Sequence, residues 1–128
     1  MISVLMVCRT REAMSAFADA MQKQGDVTLS WAESGAAGLE AATEKPFHLA
    51  VVDEALNDMT GIAFAEKLVA VNPMVNCALV SRLPSDDYHE ATEGLGLLMQ
   101  LPEQPGGPQA KKLLDRLRKI LGMTKPND

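Results

Sequence analysis

Asp53 closes the apolar run His48-Leu-Ala-Val-Val-Asp53 and is followed by Glu-Ala-Leu-Asn-Asp-Met59-Thr60-Gly61. An acid at the carboxyl end of a buried strand stands where open α/β sheets place their ligands and reactions. Its partners must come from the ends of the other strands. Those ends carry Cys8 and Arg9, then Ser81 and Arg82, then Leu101 and Pro102. Asp53 can pair with Arg9 or Arg82, and such a pair favours the charged carboxylate. The plainer alternative is a solvated turn former. Cys8, beside an arginine and at the start of a helix, is a candidate redox-sensing thiol. A lone cysteine at a strand end is more often a small packed residue. His48 and His89 have no metal-ligand spacing. With no glycine-rich phosphate loop, nucleophile elbow or HExxH, dinucleotide and hydrolase chemistry have no support.

The elements that would position these residues alternate in type. Val4 to Val7 is apolar throughout and reads as a strand buried on both faces. Thr10 can cap a helix to about Lys23, with Ala13, Met14, Phe17, Ala20 and Met21 on one stripe. Val27 to Ala32 is a second strand, Ser34 to Lys45 a capped helix ended by Pro46, and Leu49 to Val52 a third strand. After the loop 54–60, Gly61 to Val71 has helical periodicity and Asn72-Pro73 breaks it. Cys77 to Val80 is a fourth strand, and Ser85 can cap a helix to about Glu93, stopped by Gly94 and Gly96. Leu97 to Met99 is a fifth strand. Three prolines and two glycines force residues 102–108 into a loop. The last helix, Gln109 to Leu121, buries Ala110, Leu113, Leu114, Leu117, Ile120 and Leu121, and residues 123–128 are expected to be a tail. This predicts one domain over residues 1–122, of the α/β class. The architecture is a flavodoxin-like (βα)5 sandwich, its parallel sheet in strand order 2-1-3-4-5.

The 128 residues suffice for a core without staples, and 47% apolar with 23% charged residues is ordinary for a globular chain. No apolar run approaches a membrane span, and Met1 to Val7 is too short for a signal peptide. Cys8 and Cys77 are too few for a disulfide framework and should lie too far apart to pair; a cytoplasmic setting is expected. The eight methionines mostly fall at core positions. The net charge of −5 is uneven: residues 109–121 hold five cations against Asp115, whereas residues 1–108 hold 15 acids against 6 bases. An acidic body with a basic last helix argues against general nucleic-acid affinity and points to a patterned interaction face.

The acid ending strand 3 with Met59-x-Gly61 after it, Ser81 ending strand 4, Pro102 after strand 5, and Ser34-Gly-Ala-Ala-Gly-Leu-Glu-Ala-Ala42 in helix 2 resemble the receiver domains of two-component response regulators. The likeness runs over residues 2–122. It implies that Asp53 matches the phosphoacceptor, Ser81 the hydroxyl that senses the phosphoryl oxygens, and Leu98 the switch aromatic. The departures are as informative. The acidic pair that holds Mg²⁺ is replaced by Cys8 and Arg9, the lysine before the proline by Leu101, and the small residue after the switch hydroxyl by Arg82.

Three carboxylates would carry a formal −3, whereas Cys8 as a thiol, Arg9 and Asp53 sum to zero. Each unit charge at ~4 Å is worth roughly 4 kcal/mol at an effective dielectric near 20. Mg²⁺, which wants hard oxygen ligands, is therefore expected to bind weakly or not at all, and no cofactor is expected. Phosphotransfer should be impaired for want of charge neutralisation. The expectation is a non-enzymatic signalling module acting through a protein partner, without direct nucleic-acid or membrane contact. Its face is helix 4, strand 5 and helix 5, with Asp86, Asp87, Glu90 and Glu93 opposite Lys111, Lys112, Arg116, Arg118 and Lys119, an arrangement suited to a homodimer. The rivals are a receiver still phosphorylated on Asp53 in a phosphorelay, and a flavodoxin-like ligand binder or enzyme. The family's usual geometry also implies a cis Leu101–Pro102 bond.

Overall fold

The computed structural model describes residues 2–95 and 97–122. Five parallel strands, β1 (Ile2–Val7), β2 (Val27–Ala32), β3 (Leu49–Val52), β4 (Asn76–Val80) and β5 (Met99–Leu101), form one sheet in the order β2-β1-β3-β4-β5. The helices are α1 (Ser15–Gln22), α2 (Gly35–Glu44), α3 (Gly61–Val71), α4 (Ser85–Ala91) and α5 (Gly107–Leu121). The expected topology and strand order are those observed. Among the described residues no helix is long and apolar enough to cross a membrane. The expected tail, 123–128, and the stop at Gly96 lie outside the described residues.

Side chains alternate across a strand, so an apolar run feeds two cores at once. From β1, Val4 and Met6 face Phe17, Met21, Leu113 and Leu117 of α1 and α5; Leu5 and Val7 face the Phe64 and Leu68 side. Phe17 and Phe64 are fully buried, one in each layer. Replacing either by Ala should cost about 3–5 kcal/mol. Ser34 Oγ accepts the Ala37 N–H at 3.1 Å and Thr60 Oγ1 accepts the Ala63 N–H at 3.1 Å, capping α2 and α3.

Several boundaries differ from expectation. α5 begins at Gly107, inside the expected loop 102–108, because Pro108 is tolerated in a first helical turn. Thr10 caps nothing: a 3-10 turn over Glu12–Met14 precedes α1, with neither start closed by a side chain. Arg11 instead lies 5.1 Å from the Trp31 ring, a cation–π contact that holds this turn against β2. Pro84, not Ser85, is the N-cap of α4, which ends at Ala91. β5 is displaced towards the C-terminus, because Leu101 is the fully buried side chain paired beside Val80, while Leu97 and Leu98 are only half-buried. Polar Gln100 concealed this. Leu98, expected on the strand, just precedes it and donates its N–H to the Cys77 carbonyl at 2.8 Å. The Leu101–Pro102 bond is trans, the ordinary state before proline. Leu101 is committed to the core there, with its carbonyl accepting the Ser81 N–H at 3.0 Å.

Arg118, expected on an outer face, is instead buried at 3% exposure. Its Nη2 lies 2.8 Å from Asp26 Oδ1 and its Nη1 3.8 Å from Asp115. The pair ties α5 to the turn before β2, at the end of the sheet opposite Asp53.

Candidate functional site

The carboxyl ends of β1, β3 and β4 and the loop after β5 open into a cleft of about 240 Å³, lined by Arg9, Asp53, Glu54, Arg82, Glu103 and Met14 among others. The sheet delivers Asp53 there: its N–H donates to the Val7 carbonyl at 2.9 Å, extending the β1–β3 ladder by one residue. Its Oδ1 accepts the N–H of Glu54 at 2.8 Å, a local turn bond.

Gly61 explains part of the Met59-x-Gly61 signature. A Cβ there would overlap the Asp53 carbonyl oxygen, so only glycine lets α3 begin this close to the strand end. Met59 in turn lies where a side chain on Gly35 would stand, packing the β3–α3 loop onto α2. Asp58 completes that junction. Its Oδ1 accepts the Gly35 N–H at 2.7 Å and its Oδ2 the Ala36 N–H at 2.9 Å. The Ala36 and Gly35 N–H groups hold its carboxyl below the usual range. Asp58 read in sequence as one more loop residue, because the helix it serves lies 23 positions away.

The expected partners of Asp53 are placed as follows. Cys8 is buried at 1% exposure. Burial, then the negative charge of Asp53, pushes its thiol up to about 11, against weaker opposition from Arg11. That is the neutral thiol of the charge count, and the opposite of a reactive thiolate. Cys77 is likewise buried and unpaired with Cys8.

Arg9 is exposed at the rim, and no ion pair among the described residues joins it to Asp53. Of the two readings of Arg9, the surface arginine at a loop start is the one observed, and no Arg9–Asp53 pair forms among the described residues. Leu101 is in the core and brings no cation. Pro102 is exposed. His48 is a structural residue: its Nδ1 accepts the Ser3 N–H at 3.0 Å.

Arg82 takes partners the sequence reading did not name. Its Nε lies 3.0 Å from Glu54 Oε1 and 3.3 Å from Glu103 Oε1, and its backbone N–H donates to Glu54 Oε2 at 2.7 Å. One side chain thereby links the loops after β3, β4 and β5. Burial alone would raise the Glu54 carboxyl, but the Arg82 N–H, the Arg82 guanidinium and Ser81 together hold it below its ordinary value. The signal for Glu54 was its place directly after Asp53, and for Glu103 its place directly after Pro102. Ser81 is buried, and its Oγ accepts the Leu83 N–H at 3.2 Å.

The cleft thus holds two cations and three carboxylates, of which Glu54 and Glu103 are already engaged by Arg82. Among the described residues no three His, Cys, Asp or Glu side chains gather as a metal ion would require. A buried neutral thiol and an arginine beside a single free carboxylate do not fit Mg²⁺.

A second cavity, of about 460 Å³, lies across β5 between α4 and α5. His89, Glu93, Leu98, Lys112 and Arg116 are among its lining. Asp86, Asp87, Glu90, Lys111, Lys112, Arg116 and Lys119 are all exposed on these helices. Arg116 Nη1 also donates to the Leu98 carbonyl at 3.3 Å, tying α5 to the segment before β5.

No protein-family model matches the sequence, and no curated protein does. Solved structures do. A CheY-like response regulator receiver domain protein from Methanospirillum hungatei JF-1 is similar with a TM-score of 0.82 and 17% identity, over 95% of this chain and 98% of that one. The chemotaxis response regulator CheY4 of Vibrio cholerae gives 0.80 and 18%, over 91% and 98%. A structure described as a novel family of redox sensors in the streptococci, evolved from two-component response regulators, gives 0.79 and 16%, over 95% of this chain and 53% of that one. The chain therefore has the fold of the receiver domains of two-component response regulators.

Proposed function

We propose that the protein is a receiver-type signalling module of the cytoplasm that acts by binding another protein, with Mg²⁺-dependent phosphorylation of Asp53 impaired. The observation that supports this most is the chemistry around Asp53. A neutral buried thiol and an exposed arginine stand near it, and the end of β5 carries a core leucine, so neither an acidic pair nor an ammonium stands ready to neutralise charge on a transferring phosphoryl group. A phosphorylated rival would have to recruit Arg9 and Arg82, and Arg82 is already bound by two carboxylates. A redox role through Cys8 is disfavoured by burial of its thiol. An enzyme or small-ligand binder has no cofactor loop to support it.

The binding surface in this reading is α4, β5 and α5. Acidic α4 and basic α5 flank a groove on the open edge of the sheet, and a second copy meeting α4 with α5 would match charges twice. Two measurements test the proposal. Incubation with Mg²⁺ and a small-molecule phosphodonor should add no phosphate by intact mass; rapid stoichiometric addition abolished by Asp53→Asn overturns it. Sedimentation should show self-association at low salt that weakens as salt rises. A monomer under both conditions removes the homodimer and leaves only a different partner for the face.

A further inference from the structure

The main chain of Ser81, Arg82 and Leu83, which leads from β4 into α4, is bonded at nearly every polar atom. The Ser81 N–H donates to the Leu101 carbonyl at 3.0 Å. The Arg82 N–H donates to Glu54 Oε2 at 2.7 Å, and the Leu83 N–H to Ser81 Oγ at 3.2 Å. The Gln100 side-chain amide donates to the Ser81 carbonyl at 3.2 Å and to the Leu83 carbonyl at 2.8 Å. Short connecting segments usually leave such groups to water. Here two side chains from flanking elements, Glu54 after β3 and Gln100 in β5, take up three of them. The Arg82 guanidinium adds a second bond to the same Glu54 carboxylate, and hydrogen bonds to a charged acceptor are the stronger kind.

We propose that Glu54 and Gln100 are positioning residues that clamp Ser81–Leu83 in one conformation, so that α4 and the surface it shares with β5 and α5 are displayed permanently, whatever happens at Asp53. The clamp acts on the helix directly. Pro84 is the next residue, and its carbonyl accepts the Tyr88 N–H at 2.9 Å in the first turn of α4. Tyr88, buried, reaches from α4 to the Met99 carbonyl at 3.4 Å, so the segment, the helix and β5 move together or not at all. For the segment to adopt another position, Glu54 must release both the Arg82 N–H and guanidinium, and Gln100 must release two carbonyls. The proposal rests on the reading above only in naming that face as the binding surface; the clamp itself is a statement about Glu54 and Gln100.

Amide hydrogen exchange by NMR on the full chain tests it. The Arg82 amide should be protected in the native protein, and Glu54→Ala should speed its exchange about ten- to a hundredfold. Gln100→Ala should loosen the same segment while leaving β1 and β3 amides unchanged. Arg82→Ala, which keeps the main-chain bond to Glu54, should leave exchange at position 82 close to the native rate. Should Glu54→Ala fail to fold, Glu54→Gln, which keeps one acceptor oxygen, should give an intermediate rate. An Arg82 amide that exchanges freely in the native protein, or that is indifferent to Glu54→Ala and Glu54→Gln alike, overturns the clamp. Sedimentation of the same samples separates the two ideas. A protected segment in a protein that never associates removes the homodimer and keeps the clamp, and association with a freely exchanging segment does the reverse.

Discussion

The two ends of the sheet each carry an arginine bound to carboxylates, in opposite surroundings. At the closed end, Arg118 is 3% exposed and pairs with Asp26 at 2.8 Å, with its buried Nε lacking any partner among the described residues. At the cleft end, the Arg82 side chain is 71% exposed and shares two carboxylates with water. A buried pair is costly to break, because removal of one partner strands the other charge in a medium that cannot solvate it. An exposed pair contributes little to the global fold, since water replaces whatever is lost. What an exposed pair can do is choose where a segment sits. The same residue types therefore hold α5 onto the body at one end and set the approach to α4 at the other.

The largest effect should come from unbalancing the closed end. Asp26→Ala is expected to lower unfolding free energy by about 3 kcal/mol, the low end of the range for a stranded buried charge because Asp26 keeps some contact with water. Arg118→Met, which removes the charge and keeps an apolar stem, should cost less. Urea denaturation of both variants measures the difference, and equal losses would show that loss of the pair itself, not the stranding of the Arg118 charge, is what matters.

The cysteines sharpen the contrast next. Burial pushes Cys77 up to about 12 and Cys8, with Asp53 beside it, up to about 11. Against an ordinary thiol at 9.0, a value near 11 means roughly a hundredfold less thiolate at neutral pH. Neither should react with iodoacetamide in minutes at pH 7.5, and as the protein loosens Cys8 at the cleft end should label before Cys77. Mass mapping of the labelled peptides decides this, and fast labelling of Cys8 would revive a redox role for it.

A smaller effect is expected from acid. Glu54 has a folded value lowered from 4.5, so it contributes fully above the ordinary glutamate value, and that contribution is lost as pH falls through the lower folded value. Asp53, Ser81 and Arg82 face it, and Glu103 faces it across Arg82. The Arg82 Nε–H resonance should shift in that acid window while the β-sheet amides stay in place. The smallest effect is on global stability: Glu54→Ala should leave the thermal midpoint nearly unchanged even as it frees the segment before α4. A large drop would mean that the cleft-end ion pair is structural, like its counterpart.

Much of this architecture was legible in the chain. Leu49 to Val52 read as a strand buried on both faces, Ser34 stood where a helix needed a cap, and Asp53 followed the third strand with no turn signal between. These are local matters: side-chain period, caps and helix breakers act within a few residues and leave their mark in the order of the letters. The strand order followed as well, because right-handed crossovers leave few ways to stack five such units. β5 was misplaced because Gln100 spoils an apolar pattern; its backbone pairs beside Leu79 in β4, its side chain bonds the segment after β4, and its neighbour Leu101 pairs beside Val80.

The pairing of charges was decided only by the folded chain. In sequence, Asp53 was the named claimant for both Arg9 and Arg82, and Arg118 was one basic residue among five on the last helix. Which carboxylate meets which guanidinium depends on differences of a few ångströms between loop paths, and on whether water reaches the site, neither of which a linear pattern encodes. The chain therefore determined by itself a five-stranded receiver-like frame with a depleted set of acids at its strand ends. Tertiary structure alone determined that Arg82 closes on Glu54 and Glu103, that Arg118 is sealed inside against Asp26, and that the Asp53 carboxylate accepts the N–H of its own neighbour Glu54 and, among the described residues, joins no ion pair.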